Sequence, residues 1–419
     1  MYINLSSTFN LFLDDRGLKH LDFFENQVAP MISVSPQSSN YFLKTFFTLA
    51  ITNESISNGL AAWGALFDNA IEGEDKYLTV NRYLQRGNEL IHKNEISTNN
   101  DRFDSFIKLA YYLIVIGIHI CSGDTKQWHD YFNRCVRLFK DYGGIVKFIN
   151  DFKYSNDCKF LISNFQFHDV MSSETLKNGT ICSMNNYNDL FKFNKILELD
   201  DYGIDPYQGC IQSVYLLLGE IMNSYVELKE ERFNLNKLLN SSTSGDSGPV
   251  INNLRLSYLK RVNEKISELS NKIEYCQPNE TQMNQLEEID QANHLKLFEL
   301  YRITCKMYLS LYLKQSQPIS SEMQNYLINA QGIMDELIQT NLISSLNMSL
   351  LICGISCCNK FDRQNLNDKF CSIYERYQVG NVKRIWDVVR EAWRRNPYGI
   401  VCIDWLDICN DFGWKISMC

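Results

Sequence analysis

The feature that most constrains this chain is the spacing of its apolar side chains, which recur every three or four residues along nearly the whole sequence. Side chains at that spacing share one face of an α-helix, whereas a strand would show alternation. Gly and Pro destabilise helix interiors, and the 419 residues include only 20 Gly and 7 Pro. No stretch combines alternating apolar residues with hairpin turn residues. The sequence therefore predicts an all-α fold.

The predicted helices follow one another with short connections. We therefore expect one large helical domain over 1–419, an irregular stack of helical hairpins that resembles an α-solenoid. The pair Gly143-Gly144 marks one helix end, because glycine adopts the left-handed backbone without steric cost. A closing helix is predicted to begin near Cys402. The other predicted helices span 18–28, 40–52, 55–71, 75–92, 103–121, 125–142, 157–172, 188–197, 206–239, 251–275, 281–314, 320–342, 348–359, 366–377 and 382–395.

One segment, N-S-S-T-S-G-D-S-G-P at 240–249, has no apolar residue and is predicted to be a flexible linker inside the domain. On each side of it an apolar seam with three- and four-residue spacing predicts a long helix. We interpret the two helices as an antiparallel hairpin, because the heptads are too short to favour the alternative, an intermolecular coiled coil. The seams consist of Val214, Leu218, Ile221, Tyr225 and Leu228, then Leu259, Val262, Ile266, Leu269 and Ile273.

Composition argues against several classes of function. The 49 acidic and 41 basic side chains give a net charge of −8, so no overall attraction draws the chain to nucleic-acid phosphates. The 14 cysteines are scattered singly, and the first ten residues lack a secretory leader pattern, which favours reduced thiols in a nuclear or cytosolic protein. The longest apolar run, 109–118, is shorter than the ~20 residues that span a bilayer. We expect a buried core helix there and no membrane partner.

No motif points to catalysis, a cofactor or a metal ion. The cluster Cys353, Cys357, Cys358 and Cys371 lacks the paired C-x2-C spacing of structural zinc sites, so Cys353 and Cys357 are interpreted as core thiols. The six histidines form no H-E-x-x-H motif, and neither a phosphate-binding glycine loop nor a G-x-S-x-G motif occurs. Acidic clusters such as 198–201 are typical of solvated helix ends. We expect no catalytic residue, no cofactor and no bound metal.

The segment V-K-R-I-W-D-V-V-R-E-A-W-R-R-N at 382–396 combines basic and aromatic residues, as single-strand binding surfaces do. Helical spacing, however, places Trp386 and Trp393 on one apolar face and the arginines on the other. Asp387 and Glu391 also interrupt the basic side. We predict core packing with a solvated basic edge.

Four further signals occur in order along the chain. The first joins L-D-F-F-E-N-Q-V-A-P-M-I-S-V at 21–34 to F-L-K-T-F-F-T-L-A-I-T-N-E-S-I-S-N-G-L-A-A-W-G-A-L at 42–66. The second and third are F-Q-F-H-D-V-M-S-S-E-T at 165–175 and Y-G-I-D-P-Y-Q-G-C-I-Q-S-V-Y-L-L-L-G-E-I at 202–221. The fourth combines L-L-I-C-G-I-S-C-C at 350–358, I-W-D-V-V at 385–389 and D-W-L-D-I-C-N-D-F-G-W-K-I-S-M at 404–418.

Together these segments resemble the regulatory domain of fungal binuclear zinc-cluster transcription factors, in the branch with activators of lysine biosynthesis, arginine metabolism and 4-aminobutyrate use. The resemblance implies a nuclear regulator of RNA polymerase II genes, with the cytoplasm as a further location, acting in nitrogen or amino-acid metabolism. It implies coactivators or other regulators as partners, a small metabolite effector, a homodimer, and switching between two helical packings. The rival hypothesis is a helical scaffold or adaptor without a DNA-linked function.

Three further expectations accompany the resemblance. The six-cysteine module with which this family binds DNA does not occur in the sequence, so DNA contact is expected only indirectly or through a missing N-terminal module. A ligand pocket is expected where Phe167 and His168 meet the helices carrying Trp386 and Trp405. The acidic and aromatic stretch 404–414 is interpreted as a docked amphipathic helix, with an activation surface as the alternative.

Overall fold

Most helices begin and end close to the positions that the apolar spacing predicts. The computed structural model describes residues 12–70, 73–96, 102–172, 178–187, 189–190, 202–241 and 248–419. Within these ranges the chain has no strand, and an isolated β-bridge joins Asp205 to Gly209. The prediction of an all-α fold with a single helical domain is confirmed.

The first part of the chain supplies helices that alternate with short turns. A turn of wider π geometry follows the first helix at Phe24–Val28, another precedes the helix Thr48–Thr52 at Phe42–Phe47, and Gln37–Ser39 forms a 3₁₀ turn. The α-helices are α1 (Asp15–Phe23), α2 (Ala29–Ile32), α3 (Thr48–Thr52), α4 (Glu54–Phe67), α5 (Gly73–Ile96), α6 (Arg102–Ser122), α7 (Gln127–Tyr142), α8 (Ile145–Asp151), α9 (Asn156–Met171) and α10 (Met184–Tyr187).

The second part begins after the turn at 205–209 and contains the longest helices. A π turn, Leu309–Leu313, and a 3₁₀ turn, Asn341–Ser345, lie between them. The α-helices are α11 (Gln212–Ser241), α12 (Gly248–Tyr275), α13 (Glu280–Met283), α14 (Glu288–Tyr308), α15 (Ser321–Leu337), α16 (Asn347–Ser356), α17 (Lys360–Tyr377), α18 (Gly380–Arg395) and α19 (Trp405–Phe412).

Helix α4 organises the N-terminal part because it packs against α1, α3, α5 and α6. The crossing with α1 is close: a Cβ atom on Gly64 would lie 1.8 Å from the His20 carbonyl oxygen. Only glycine fits there, since the obstacle is backbone and cannot rotate away. The crossing fixes how the first helices enter the core.

Helix α6 is the longest apolar helix of this part. By length and composition alone it could cross a membrane, with a mean hydropathy of 1.6, but 83% of that apolar stretch is buried inside the fold. It packs between α4, α7, α9 and α18. The interpretation of 109–118 as a core helix agrees with this position.

The two seams flanking 240–249 form the predicted antiparallel hairpin of α11 and α12, which packs on α14 through its end nearest the core. Leu269 and Ile273 are buried there, whereas Leu259, nearer the hairpin tip, is 45% exposed. The central residues of the predicted linker, 242–247, lie outside the described residues, and its flanks belong to the two helices.

Two predicted helices differ clearly from the structure. The single helix predicted at 281–314 is interrupted between α13 and α14, because the turn buries Met283 and Leu286 against Ile204 and Cys210. The helix predicted from Pro206 begins instead at Gln212. The helix predicted at 188–197 falls almost wholly outside the described residues. The end at Gly143-Gly144 is confirmed, since both residues have a positive φ.

Candidate functional site

The motif F-Q-F-H-D-V lies on α9, and this helix is buried on every side. All its residues from Cys158 to Met171 are buried, including polar side chains that normally stay in water. A buried polar group costs free energy unless it finds a hydrogen-bond partner. The partners of α9 therefore show which parts of the chain it holds together. Its buried polar residues include Ser163, Asn164, Gln166, His168 and Asp169.

His168 lies close to the last residue of the sequence. Its Nδ1 is 3.0 Å from the Cys419 Sγ, and the Ser417 hydroxyl donates to that sulfur at 2.9 Å. Burial lowers the pKa of His168 to about 3, so the imidazole is neutral. Its Nε2 has no hydrogen-bond partner among the described residues. Burial also raises the pKa of the Cys419 thiol, which stays protonated.

Asp169 holds the segment that follows α9. Its carboxylate accepts the N–H of Ile181 at 2.8 Å, the N–H of Cys182 at 3.1 Å and the hydroxyl of Tyr187 at 2.6 Å. Burial raises the pKa of this carboxyl to about 6, although the three donors favour the charged form. Asp169 thus anchors 181–187 to the centre of the fold, a role that sequence reasoning missed.

A second buried carboxylate shapes the turn in the Y-G-I-D-P-Y-Q motif. Asp205 accepts the Tyr202 hydroxyl at 2.9 Å and the N–H groups of Tyr207 and Gln208 at 2.9 and 2.8 Å. These bonds fold 205–209 into a turn, which explains why α11 starts later than the position of Pro206 suggested. The Gln208 amide in turn donates to Ser163 Oγ at 2.9 Å, which ties the turn to α9.

A small cavity lies where the two parts of the chain meet. Its volume is about 50 Å³, and Phe167 and His168 of α9 contribute to its wall. A cavity of this size has room for a few water molecules but not for a metabolite. The rest of the wall comes from nearly every layer of the fold: Ile32, Val34, Phe42, Trp63, Gly117, Ile120, Cys121, Pro206, Tyr207, Ser344, Ser345, Tyr377, Val379 and Cys419.

The structure places the four expected pocket residues in three locations. Phe167 and His168 line the cavity together. Trp386 instead packs against Phe370, with ring centroids 4.5 Å apart, and against Trp393 at 5.2 Å. Trp405 is fully buried at the start of α19, away from the cavity wall. The two tryptophans pack helices together, as the apolar spacing of their helices already indicated.

The segment after α19, residues 413–419, runs across the ends of four helices. Its backbone pairs with Thr125 ahead of α7, through the Lys415 N–H at 2.9 Å, and with Met171 at the end of α9, through the Met418 N–H at 3.3 Å. The Cys419 carbonyl accepts the side-chain amides of Asn347, at 2.8 Å, and Asn381. We call 404–419 the closing segment. It contacts both parts of the chain at α9, which we call the central helix.

The closing segment is docked with its apolar face inward, as the amphipathic interpretation predicts. Trp405 and Ile408 of α19 are fully buried. Its acidic side chains are all engaged: Lys229 binds Asp404 and Asp407, and Arg395 lies 2.8 Å from Asp411. Trp405, Ile408 and the carboxylate of Asp404 are therefore shielded in this packing, whereas the paired Asp407 and Asp411 side chains remain about 60% exposed.

Cys353 and Cys357 are buried and behave as core thiols, whereas Cys371 is exposed. Burial raises the pKa of Cys353 to about 12, and it raises that of Cys357 as well. Across the described ranges, no three His, Cys, Asp or Glu side chains are grouped so that they could hold a metal ion. The basic edge of α18 is occupied by local pairs, since Arg394 and Arg395 bind Glu391 and lower its pKa to about 2.

Comparison with known proteins finds relatives that match nearly the whole chain. It is 26% identical to the uncharacterized transcriptional regulatory protein C965.10 of Schizosaccharomyces pombe over 97% of this chain and 72% of that protein. It is 24% identical to the transcriptional activator protein UGA3 of Saccharomyces cerevisiae over 97% of this chain and 78% of that protein. No solved structure matches it.

The model of the fungal specific transcription factor domain matches residues 19–419. That range contains the central helix, the cavity and the closing segment, so the features described above lie within the matched domain. The relatives with printed roles are transcriptional regulators. The chain thus belongs to the fungal-specific transcription factor domain family, a family of transcriptional regulators.

Proposed function

We propose that this chain is the regulatory domain of a transcriptional activator and that docking of the closing segment on the central helix sets its activity. The observation that carries the proposal is the position of 413–419, which pairs with Thr125, Met171, Asn347 and Asn381 and so contacts both parts of the chain at once. Because the segment contacts both parts, a change in how they pack against each other would change its docking.

The proposed mechanism is a shift between a docked and a released closing segment. In the docked state Trp405 is buried and Asp404, Asp407 and Asp411 are paired. Release would present these acidic and aromatic side chains to a coactivator. An effector shifts the balance only by its differential affinity for the two states, which for a gap of a few kcal/mol requires about a hundredfold or more.

A small metabolite is the proposed effector. The cavity beside Phe167 and His168 measures about 50 Å³ in the docked packing, so a metabolite would enter it only after the Cys419 end of the wall moves. Binding there would favour release because the docked closing segment and the ligand compete for the same space. Trp386 and Trp405, which the sequence assigned to the same pocket, would affect ligand binding indirectly, through the packing of α18 and α19.

The remaining parts of the proposal concern cell biology. We place the protein in the nucleus, with DNA contacted through a module or partner outside 1–419, and with coactivators or a second copy of the chain as partners. The transcriptional roles of both relatives support this and support a function without catalysis. Genes of nitrogen or amino-acid metabolism are proposed as targets on the strength of the sequence resemblance.

A reporter assay tests the docking proposal directly. The chain is fused to a foreign DNA-binding domain, and the double substitution Asn347→Ala and Asn381→Ala removes both amide donors to the Cys419 carbonyl. Two lost hydrogen bonds weaken docking by ~2 kcal/mol, roughly a thirtyfold change in the docked-to-released ratio. We expect reporter output to rise without added nitrogen source.

The matched control is Asn410→Ala, because Asn410 is exposed on α19 and takes no part in the contacts to the Cys419 carbonyl. It should leave the output unchanged. Equal output from a folded double variant and the parent would contradict the docking proposal. Silence of every fusion under all nitrogen sources would contradict activation, and recovery of cytoplasmic complexes without coactivators would favour a scaffold.

A further inference from the structure

A basic pocket lies between α5, α6, α7 and α8. Its volume is about 680 Å³. Two acidic side chains, Asp141 and Asp151, lie in its wall. Five cationic side chains face them: Arg102, Lys108, Arg134, Arg137 and Lys147. We call this the basic pocket. The basic pocket thus has an excess of positive charge, although the net charge of the chain is −8.

Local pairing uses only part of this charge. Lys108 binds Asp104 at 2.6 Å, and Asp151 accepts the Tyr142 hydroxyl at 3.1 Å while lying 4.0 Å from Arg102 Nε. Within the part of the chain that the structure describes, neither Arg134 nor Arg137 has an ion-pair partner.

Arg134 is held by aromatic rings. Its guanidinium carbon lies 4.6 Å from the ring centre of Tyr131 and 5.9 Å from that of Tyr112. Its Nη1 is shielded from solvent and makes no hydrogen bond to any described residue. A shielded guanidinium N–H without an acceptor is costly, and an oxyanion is the ligand that its planar fork fits best. The rings orient the group before any ligand arrives.

We propose that the basic pocket binds a small organic polyanion, either a phosphate ester or a polycarboxylate, with two or three negative charges. Five cations face Asp141, Asp151 and the Asp104 carboxylate that Lys108 binds, which leaves about two positive charges for the ligand to balance. The volume lies in the range of small-molecule sites, and the concave wall of Tyr112, Leu138 and Tyr142 suits a compact ligand better than a polymer backbone. The site lies apart from the cavity at His168 and does not depend on the docking of the closing segment.

Calorimetric titration of the full chain at low ionic strength tests the site. The probes are citrate, glucose 6-phosphate and inorganic phosphate, each at the same ionic strength. We expect saturable binding of citrate or glucose 6-phosphate that weakens as salt is added, because the pocket is open to solvent and its charges are screened. The tighter of the two identifies a polycarboxylate or a phosphate ester. Inorganic phosphate that binds as tightly as both organic probes would overturn the proposal of an organic ligand.

Variants on α7 connect binding to the pocket. Arg137 is exposed, so Arg137→Gln should fold normally and weaken binding about tenfold, as expected for the loss of a charge-assisted hydrogen bond. Arg134→Gln should weaken it at least as much. The control is Lys140→Gln, an exposed cation of the same helix outside the pocket wall, which should bind like the parent.

Three results would overturn the proposal: equal affinity in Arg137→Gln and Lys140→Gln, no saturable binding of any of the three anions, or binding of duplex DNA that is lost in Arg137→Gln while the small anions show none. A general salting effect of citrate on the protein does not depend on one surface charge, so it appears equally in the parent and in the variants. Comparing their binding heats therefore removes it.

Discussion

The central helix α9 and the hairpin of α11 and α12 use polar side chains in opposite ways. On α9 the polar groups are buried, and several contact other parts of the chain: His168 approaches Cys419, and Asp169 holds Ile181 and Tyr187. On the hairpin most charges lie in water, and Lys272 pairs with neighbours on the same two helices. Lys229, which binds Asp404 of the closing segment, is an exception. A buried polar group accepts few partners, so α9 specifies the fold, while the hairpin tolerates change.

The difference extends to aromatic residues. Phe160 on α9 packs against the rings of Phe42 and Phe46, with centroids 5.6 and 5.0 Å apart, and is fully buried. Phe233 on α11 is 67% exposed. The same residue type therefore has a large role in one region and a small one in the other, and substitutions at matched positions measure the contrast.

The largest expected effect is that of Phe160→Ala. Removing a fully buried ring takes away transfer free energy and leaves a cavity, so the free energy of unfolding should fall by ~3–5 kcal/mol. Urea denaturation followed by circular dichroism measures it. Phe233→Ala is the matched control and should change stability by less than ~1 kcal/mol. Similar losses at the two positions would break the comparison between α9 and the hairpin.

Asp169→Ala should have the next largest effect. The change leaves the N–H groups of Ile181 and Cys182 and the Tyr187 hydroxyl without their acceptor. Unsatisfied buried donors cost ~1–3 kcal/mol each, and local relaxation recovers part of it, so we expect a loss of ~3 kcal/mol. On the hairpin, Glu264→Ala should cost less than ~0.5 kcal/mol, because Glu264 is 63% exposed. A loss below 1 kcal/mol for Asp169→Ala would contradict its anchoring role.

The buried His168 should make the stability of the fold depend on pH. Its pKa is about 3 in the fold and 6.5 as a free side chain, so the unfolded chain binds the proton first as the pH falls. The neutral ring therefore contributes stability above pH 6.5, and that stability is lost progressively as the pH falls toward 3, by up to ~1.4 kcal/mol per pH unit. Asp169 acts in the opposite direction below pH 6, because its pKa in the fold is about 6 and protonation favours the folded state.

The His168→Gln variant separates the two effects. Its stability should fall less than that of the parent between pH 6.5 and 4.5, with urea denaturation at each pH as the measurement. The hairpin helices contain no histidine, so substitutions there should leave the pH profile of this range parallel to that of the parent. Identical profiles for the parent and His168→Gln would show that the imidazole does not stay neutral.

The two regions also differ in what the sequence reveals. The hairpin could be predicted with its partner helix, because one face of each helix is apolar and the other is charged. The bounds of α9 could be predicted, but its polar contacts could not: Asp169 and Gln208 find partners through the tertiary fold, and no local spacing encodes that Asp169 meets 181–187 or that Gln208 meets Ser163. The predicted pocket grouped Phe167 and His168 with Trp386 and Trp405, whereas in the structure the first two line a small cavity and the tryptophans pack elsewhere. The sequence could not separate the two pairs, because an apolar helix face does not specify its neighbour.

The smallest expected effect on stability is that of removing a charge from the hairpin. Lys272 lies 2.5 Å from Glu220 on α11 and 2.7 Å from Glu268 on its own helix, and its side chain is 42% exposed. Lys272→Met keeps helix propensity and the aliphatic stem while it removes the charge, so stability should fall by only ~0.5 kcal/mol. In 1 M NaCl the difference should vanish, because the screening length is then about 3 Å. Lys260→Met, at a site 78% exposed, should show no loss at either salt concentration. A loss at Lys272 that matches the one at Asp169 and persists in high salt would mean that the hairpin, too, specifies the fold through its polar contacts.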